Sequence, residues 1–131
     1  IDGDGSFQMT SEELAAAFLD RTPVKIALLN NSVYGMVRQW QTLFYDHHYS
    51  ATNLLDGENT PDIVDVPDFV KLAEAYGAEG YRVAKLEDLE STLRTAFASP
   101  NTAIIDVIVE RDENVYPTVP SGASLDEMLL L

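Results

Sequence analysis

Val24-Lys25-Ile26-Ala27-Leu28-Leu29-Asn30-Asn31 decides how the rest of this chain is read. Six residues of nearly continuous apolar character, several of them branched, end abruptly in two amides. A strand covered on both faces of a parallel sheet has this character, so Val24 to Leu29 is expected to be such a strand. Upstream, Gly3-Asp4-Gly5 forms a second polar turn, and residues 6 to 29, a span of 24, separate it from Asn30. One helix and one buried strand fill that gap. The crossover therefore returns the chain to the same sheet edge, beside Asp4.

The pattern repeats along the chain. Thr10 to Asp20 is expected as a helix, with Thr10 and Glu13 as a capping box and Leu14, Ala15, Phe18 and Leu19 as its apolar face. Gly35 to Tyr45 is expected helical, with Met36, Val37, Trp40, Leu43 and Phe44 on one side. His47 to Val66 is acidic, carries Gly57 and Pro61, and is expected as a surface loop. Pro67 to Tyr76 is expected as a helix with Pro67 in its first turn and Gly77 as its stop. Tyr81 to Ala84 and Ala103 to Val109 are expected strands, and Leu86 to Ala98 an amphipathic helix between them. Residues 111–131 form an irregular tail. Strands thus alternate with helices, which predicts an α/β fold: a parallel sheet with helices on both faces. Ligands of such sheets sit at the carboxyl ends of the strands.

The 131 residues suffice for one domain. Twenty-two acidic residues against eight basic ones give a net charge of −14. Such a surface repels phosphate backbones and anionic lipid, so no nucleic-acid or membrane partner is expected. The absence of cysteine excludes disulfide scaffolds, thiolate zinc sites and cysteine nucleophiles. No apolar run approaches the ~20 residues of a membrane span. The chain begins at Ile1 and enters a glycine-rich turn at once, so it is expected to be a piece of a longer polypeptide whose first strand begins before residue 1.

The two turns carry the chemistry. Glycines at 3 and 5 let backbone N–H groups approach an anion. Asp4 offers the hard carboxylate oxygen that Mg²⁺ prefers, and the amide oxygens of Asn30 and Asn31 are further hard donors. Together they suit a Mg²⁺–diphosphate. A calcium loop is the competing reading of Asp2-Gly3-Asp4-Gly5. Neither register fits: one closes on Ser11, and the other puts Phe7 where glycine is required. The adjacent His47-His48 pair is expected in a surface loop, and the acidic run Asp56 to Asp68 as a solvated face. No serine has a recognisable base partner.

Gly3-Asp4-Gly5 followed by Asn30-Asn31 resembles the GDG…NN motif of thiamine diphosphate (ThDP) enzymes. More narrowly, Gly3 to Met9, Pro23-Val24-Lys25, Gly35-Met36-Val37-Arg38-Gln39-Trp40-Gln41 and the tail Tyr116 to Gly122 are similar to the acetolactate synthase catalytic subunit, over essentially the whole chain. The resemblance implies the diphosphate-binding domain of that fold, truncated at its N-terminus. It implies Asp4, Asn31 and the Val33 carbonyl as Mg²⁺ ligands. Gly3, Asp4, Gly5, Ser6, Phe7, Asn31, Gly35 and Met36 are implied to hold the cofactor, and Met36, Val37, Trp40 and Ser121 to line the substrate channel, with Trp40 favouring 2-ketobutyrate. The implied reaction decarboxylates pyruvate and joins the two-carbon unit to a second 2-ketoacid, in branched-chain amino acid biosynthesis. The activating glutamate of the family and most of its FAD contacts lie outside these residues, so no catalytic residue is assigned and the isolated chain is expected to be inactive. Implied partners are a second catalytic subunit, in a dimer or tetramer, and a small regulatory subunit. The compartment is cytoplasmic for a bacterial source and plastid or mitochondrion for a eukaryotic one. The rivals are another ThDP-dependent 2-ketoacid enzyme, of pyruvate oxidase or glyoxylate carboligase type, and a non-catalytic diphosphate-binding module.

Overall fold

A computed structural model describes residues 1–54 and 67–130. Among the described residues, four parallel strands form one sheet in the order β1-β2-β4-β3: β1 (Asp2–Gly3), β2 (Lys25–Asn30), β4 (Ala103–Ile108) and β3 (Glu79–Val83). The helices are α1 (Asp4–Phe7), α2 (Leu14–Leu19), α3 (Gly35–Phe44), α4 (Phe69–Ala75) and α5 (Leu86–Ala98). The expected alternation and the α/β class hold.

Side-chain alternation along the strands divides the core into two layers. Phe7 of α1, Leu14 of α2, and Phe69 and Ala73 of α4 cover Leu28 and Ile104 on one face. Phe7 and Phe69 meet edge to face, 5.9 Å between centroids. On the other face, Ala96, Leu89 and Leu93 of α5 pack on Val83, Ala103 and Ile105. Helices therefore lie on both faces, but α5 covers only the β3–β4 side of its face. Leu29 is 43% exposed while Leu28 is fully buried. The expectation that β2 is covered on both faces is corrected: its apolar run is buried on one side.

Local signals misplaced other boundaries. Thr10 makes no side-chain cap, and Ser11–Glu13 is a 3₁₀ turn ahead of α2. The expected Thr10–Glu13 capping box is absent; a capping box forms instead between Ser124 and Glu127. Pro67 lies outside α4, whose N-cap is Asp68, accepting from Val70 N and Lys71 N at 3.2 and 3.4 Å. The Gly3-Asp4-Gly5 turn is in fact a strand end that passes directly into one turn of helix. Residues 55–66, which carry most of the expected surface loop and acidic run, lie outside the described residues.

At the amino end of β3, Glu79 accepts hydrogen bonds from Asn101 Nδ2, Ser99 Oγ and Tyr81 Oη at 2.7–2.8 Å. Those donors hold its carboxyl down at about 2. A carboxyl depressed in the folded state stabilises above its unfolded pKa, and that contribution disappears as pH falls through the folded value. Glu79→Gln should therefore be less stable than the wild type at pH 7. The gap should narrow below pH ~4.5 and close near pH ~2, as thermal melts across that range would test.

Candidate functional site

β1 and β2 are adjacent and parallel, with Asp2 opposite Leu28 and Gly3 opposite Leu29. Their carboxyl ends therefore deliver Asp4 and Asn31 to the same edge, as the crossover argument requires. Asp4 is buried, 2% exposed. Its Oδ2 accepts from the backbone N–H of Ser32 at 2.9 Å. Burial pushes the Asp4 carboxyl above the usual range, against backbone N–H groups led by Ser32 that pull it down. A carboxylate desolvated and not fully compensated is poised for a cation.

The loop after β2 is wound tightly. Asn31 Oδ1 accepts from Val33 N at 3.2 Å, and Ser32 between them has φ 60°. Ser32 N–H is shared between Asp4 Oδ2 and Asn30 Oδ1, the latter at 3.1 Å, and Ser32 Oγ donates to the same Asn30 oxygen at 3.0 Å. Val33 is buried and bridges Asn53 across an antiparallel pair, with Tyr34 N on Thr52 O and Leu54 N on Ser32 O, both 2.8 Å. The Tyr34 carbonyl takes the first hydrogen bond of α3, from Arg38 N, so the Val33 carbonyl lies just outside the helix.

These donors fit Mg²⁺ bound to a diphosphate. The cation takes one or two carboxylates and leaves the other positions to phosphate and water oxygens. Asp4 supplies the charge, and Asn31 Oδ1 keeps a second lone pair beside the one given to Val33 N. Among the described residues no group of three or more His, Cys, Asp or Glu side chains converges. Any ion here therefore needs oxygens from its ligand. Asp2 and Asp4 do not act together: the Asp2 carboxylate takes Gly3 N–H and Ser6 Oγ, while Asp4 turns to Ser32.

The glycines differ in what they permit. A Cβ at Gly5 would stand 2.7 Å from the Tyr34 ring, so Gly5 lets the loop after β2 close over α1. A Cβ at Gly3 would meet nothing nearer than Ser6 Oγ at 3.6 Å, so the chain itself does not require that glycine. Phe7, expected among the cofactor contacts, buries its ring in the core. Ser6 is exposed, and Gly35 opens α3 close to Asn31 Nδ2.

A groove of about 640 Å³ lies alongside, lined by Met36, Trp40, Leu43, Phe44, Tyr45 and Thr118 to Ser121. The structure thus brings Met36, Trp40 and Ser121 together across 80 residues of sequence. Val37 is 45% exposed and does not line the groove. Two residues that sequence reasoning passed over pin the tail here. Gln39, 2% exposed, pairs with the Val115 backbone in both directions, Nε2 to O at 2.9 Å and N to Oε1 at 3.0 Å. Arg38 reaches Asp112 at 3.0 Å and Asn53 Oδ1 at 2.8 Å, its guanidinium 3.9 Å above the Tyr49 ring. Gln39 lies at the edge of the apolar stripe of α3, three residues from Met36 and four from Leu43, a position that gave no sign of its partner. His47 and His48 are exposed, and His47 Nδ1 meets Tyr49 Oη at 3.1 Å.

Over 129 residues, 98% of the chain, it is 48% identical to an acetolactate synthase of Mycobacterium leprae and 45% identical to the mitochondrial acetolactate synthase catalytic subunit of Saccharomyces cerevisiae. It spans about a fifth of each, 20% and 17%. A thiamine diphosphate-dependent 4-hydroxybenzoylformate decarboxylase from Rhodococcus jostii superposes with a TM-score of 0.67 at 33% identity, over 86% of this chain and 19% of that one. Residues 1–107 match the family of thiamine pyrophosphate enzymes described by their C-terminal TPP-binding domain, and the chain belongs to that family.

Proposed function

We propose that this chain is the cofactor-holding part of an acetolactate synthase, which decarboxylates pyruvate and joins the two-carbon unit to a second 2-ketoacid. The observation that carries the proposal is the buried, oriented Asp4 beside the Asn31–Val33 loop, with the Trp40 groove alongside. Asp4, Asn31 and the Val33 carbonyl would hold Mg²⁺, with Gly3, Gly5 and Ser6 lining the diphosphate. When bound, ThDP would supply a nucleophilic thiazolium carbon and an electron sink for decarboxylation. This chain's residues orient that cofactor. Met36, Trp40 and Ser121 would shape an apolar groove that selects the acceptor. No residue here is assigned a proton transfer. FAD, a second catalytic subunit and a regulatory subunit belong to the same proposal, as does the compartment, which follows the host.

The test supplies pyruvate, ThDP, Mg²⁺ and FAD to the full-length polypeptide that carries this chain and identifies the product. Acetolactate is expected. Acetaldehyde or acetyl phosphate would keep the cofactor fold and remove the carboligase assignment. Preference for 2-ketobutyrate over pyruvate as acceptor is a one-methylene discrimination, worth about 10- to 200-fold in an apolar pocket. Trp40→Leu should bring that preference close to unity, read from the ratio of the two products in competition.

A further inference from the structure

Asp106 sits in β4 and is fully buried. Neither the apolar core nor the proposed ligand set uses it. Its Oδ1 accepts from Asn30 Nδ2 at 3.0 Å and its Oδ2 from Arg82 Nε at 3.0 Å. Arg82 in turn donates to Asp68, the α4 cap, at 2.7 Å. Every member of this chain of contacts has a partner, and no buried side-chain polar atom among the described residues lacks one.

The chemistry of the contact fixes an orientation. An ionised carboxylate only accepts hydrogen bonds, so Asn30 must present its NH₂ to Asp106. Its oxygen then faces the other way, where it takes both Ser32 N–H and Ser32 Oγ. Ser32 is thereby held at φ 60°, with its N–H on Asp4 Oδ2. Holding a non-glycine residue in the left-handed region requires such support.

We infer that Asp106 is a positioning residue for the metal site: by fixing the Asn30 amide it sets Ser32, and through Ser32 it aims the Asp4 carboxylate. The inference rests on Asp4 holding Mg²⁺–ThDP, as proposed above.

Asp106→Asn isolates the effect because it preserves volume. The charged Arg82 donor claims the amide oxygen of the new side chain. Its NH₂ then faces the Asn30 NH₂, two donors head to head. Asn30 relieves this by flipping, which turns its NH₂ onto Ser32 N–H and releases Ser32 from Asp4. The double variant Asn30→Asp/Asp106→Asn restores every donor–acceptor pair: the carboxylate at 30 accepts from both sides, and the amide at 106 donates to it while accepting from Arg82.

The experiment uses the full-length enzyme. The first readout is half-saturation by Mg²⁺ at fixed ThDP, followed as thermal stabilisation. The second is hydrogen exchange of the Ser32 amide in cofactor-free protein, against Leu28 and Ile105 as strand references. Half-saturation should rise about 10- to 100-fold in Asp106→Asn, the usual effect of losing a group that orients a metal ligand, and recover to within about threefold in the double variant. Ser32 should exchange slowly in the wild type, selectively faster in Asp106→Asn, and slowly again in the double variant. Unchanged half-saturation, or exchange that quickens equally at Ser32 and in the strands, overturns the inference. If Asp106→Asn does not fold, the double variant decides, since wild-type half-saturation is expected of it and a tenfold rise overturns the inference. Rapid Ser32 exchange in the wild type overturns it without any variant. A wild type that shows no response to Mg²⁺ and ThDP defeats the proposed function instead, and the exchange measurements still decide whether Asp106 controls Ser32.

Discussion

Asp4→Asn should leave the cofactor-free enzyme at least as stable as the wild type while removing its stabilisation by Mg²⁺ and ThDP. Asp4 is 2% exposed, and burial outweighs its backbone hydrogen bonds, raising the carboxyl above the usual range. At neutral pH the folded chain therefore carries a charge that its surroundings do not fully compensate. The amide is isosteric, and its oxygen can still accept from Ser32 N–H, so the loop after β2 stays in place. What it lacks is the negative charge a hard divalent cation requires. At a ligand concentration one hundred times Kd, binding stabilises a fold by about 2.7 kcal/mol, and a hundredfold loss of affinity reduces this to about 0.4 kcal/mol. Thermal melts of both proteins, with and without Mg²⁺ and ThDP, read both effects. A variant clearly less stable than the wild type without ligand would make Asp4 a structural carboxylate. One that keeps the full ligand-induced shift would remove it from the metal site.

The second large effect is expected at Gly80, far from any ligand. Gly80 lies in β3 opposite Ile104, directly under α4. A Cβ there would stand 2.6 Å from the Val70 carbonyl oxygen and 2.8 Å from Val70 Cα. Both are backbone atoms, so no side-chain rotation relieves the clash. The helix must lift, opening contacts of Phe69 and Ala73 with the sheet. Glycine to alanine at an unstrained site stabilises by about 0.4–1 kcal/mol through the unfolded chain. Here overpacking wins, and Gly80→Ala should lose about 3 kcal/mol, the upper end of the usual overpacking range. Urea unfolding at fixed pH would measure it. A loss under 1 kcal/mol would mean that α4 does not rest against β3 as closely as these distances require.

The alternation of strands and helices could be read directly because each element carries its own period, and the two polar turns could be placed because Gly, Asp and Asn are the residues that end apolar runs in turns. The pairing of Asp4 with Asn31 followed from one topological rule, the return of a crossover to the same sheet edge. Capping was less legible. Thr10 and Glu13 have the residue types of a capping box, yet the box forms at Ser124 and Glu127, because a cap depends on backbone geometry that several local sequences share. The burial of β2 was overestimated for a similar reason. Leu28 and Leu29 are identical in kind, and only the placement of α5 over β3 and β4 decides that one is fully buried and the other 43% exposed.

The sequence by itself determined the fold class, the arrival of Asp4 and Asn31 at one sheet edge and the net charge, because each follows from residue types at short range, from a crossover rule or from total charge. Tertiary structure alone decided that Asp106 faces Asn30, that Gly80 lies under Val70, and that Gln39 pins the tail beside Trp40. Each of these joins residues from separate elements, and a single polar residue in an apolar strand gives no sign of its partner until the sheet order brings the two together.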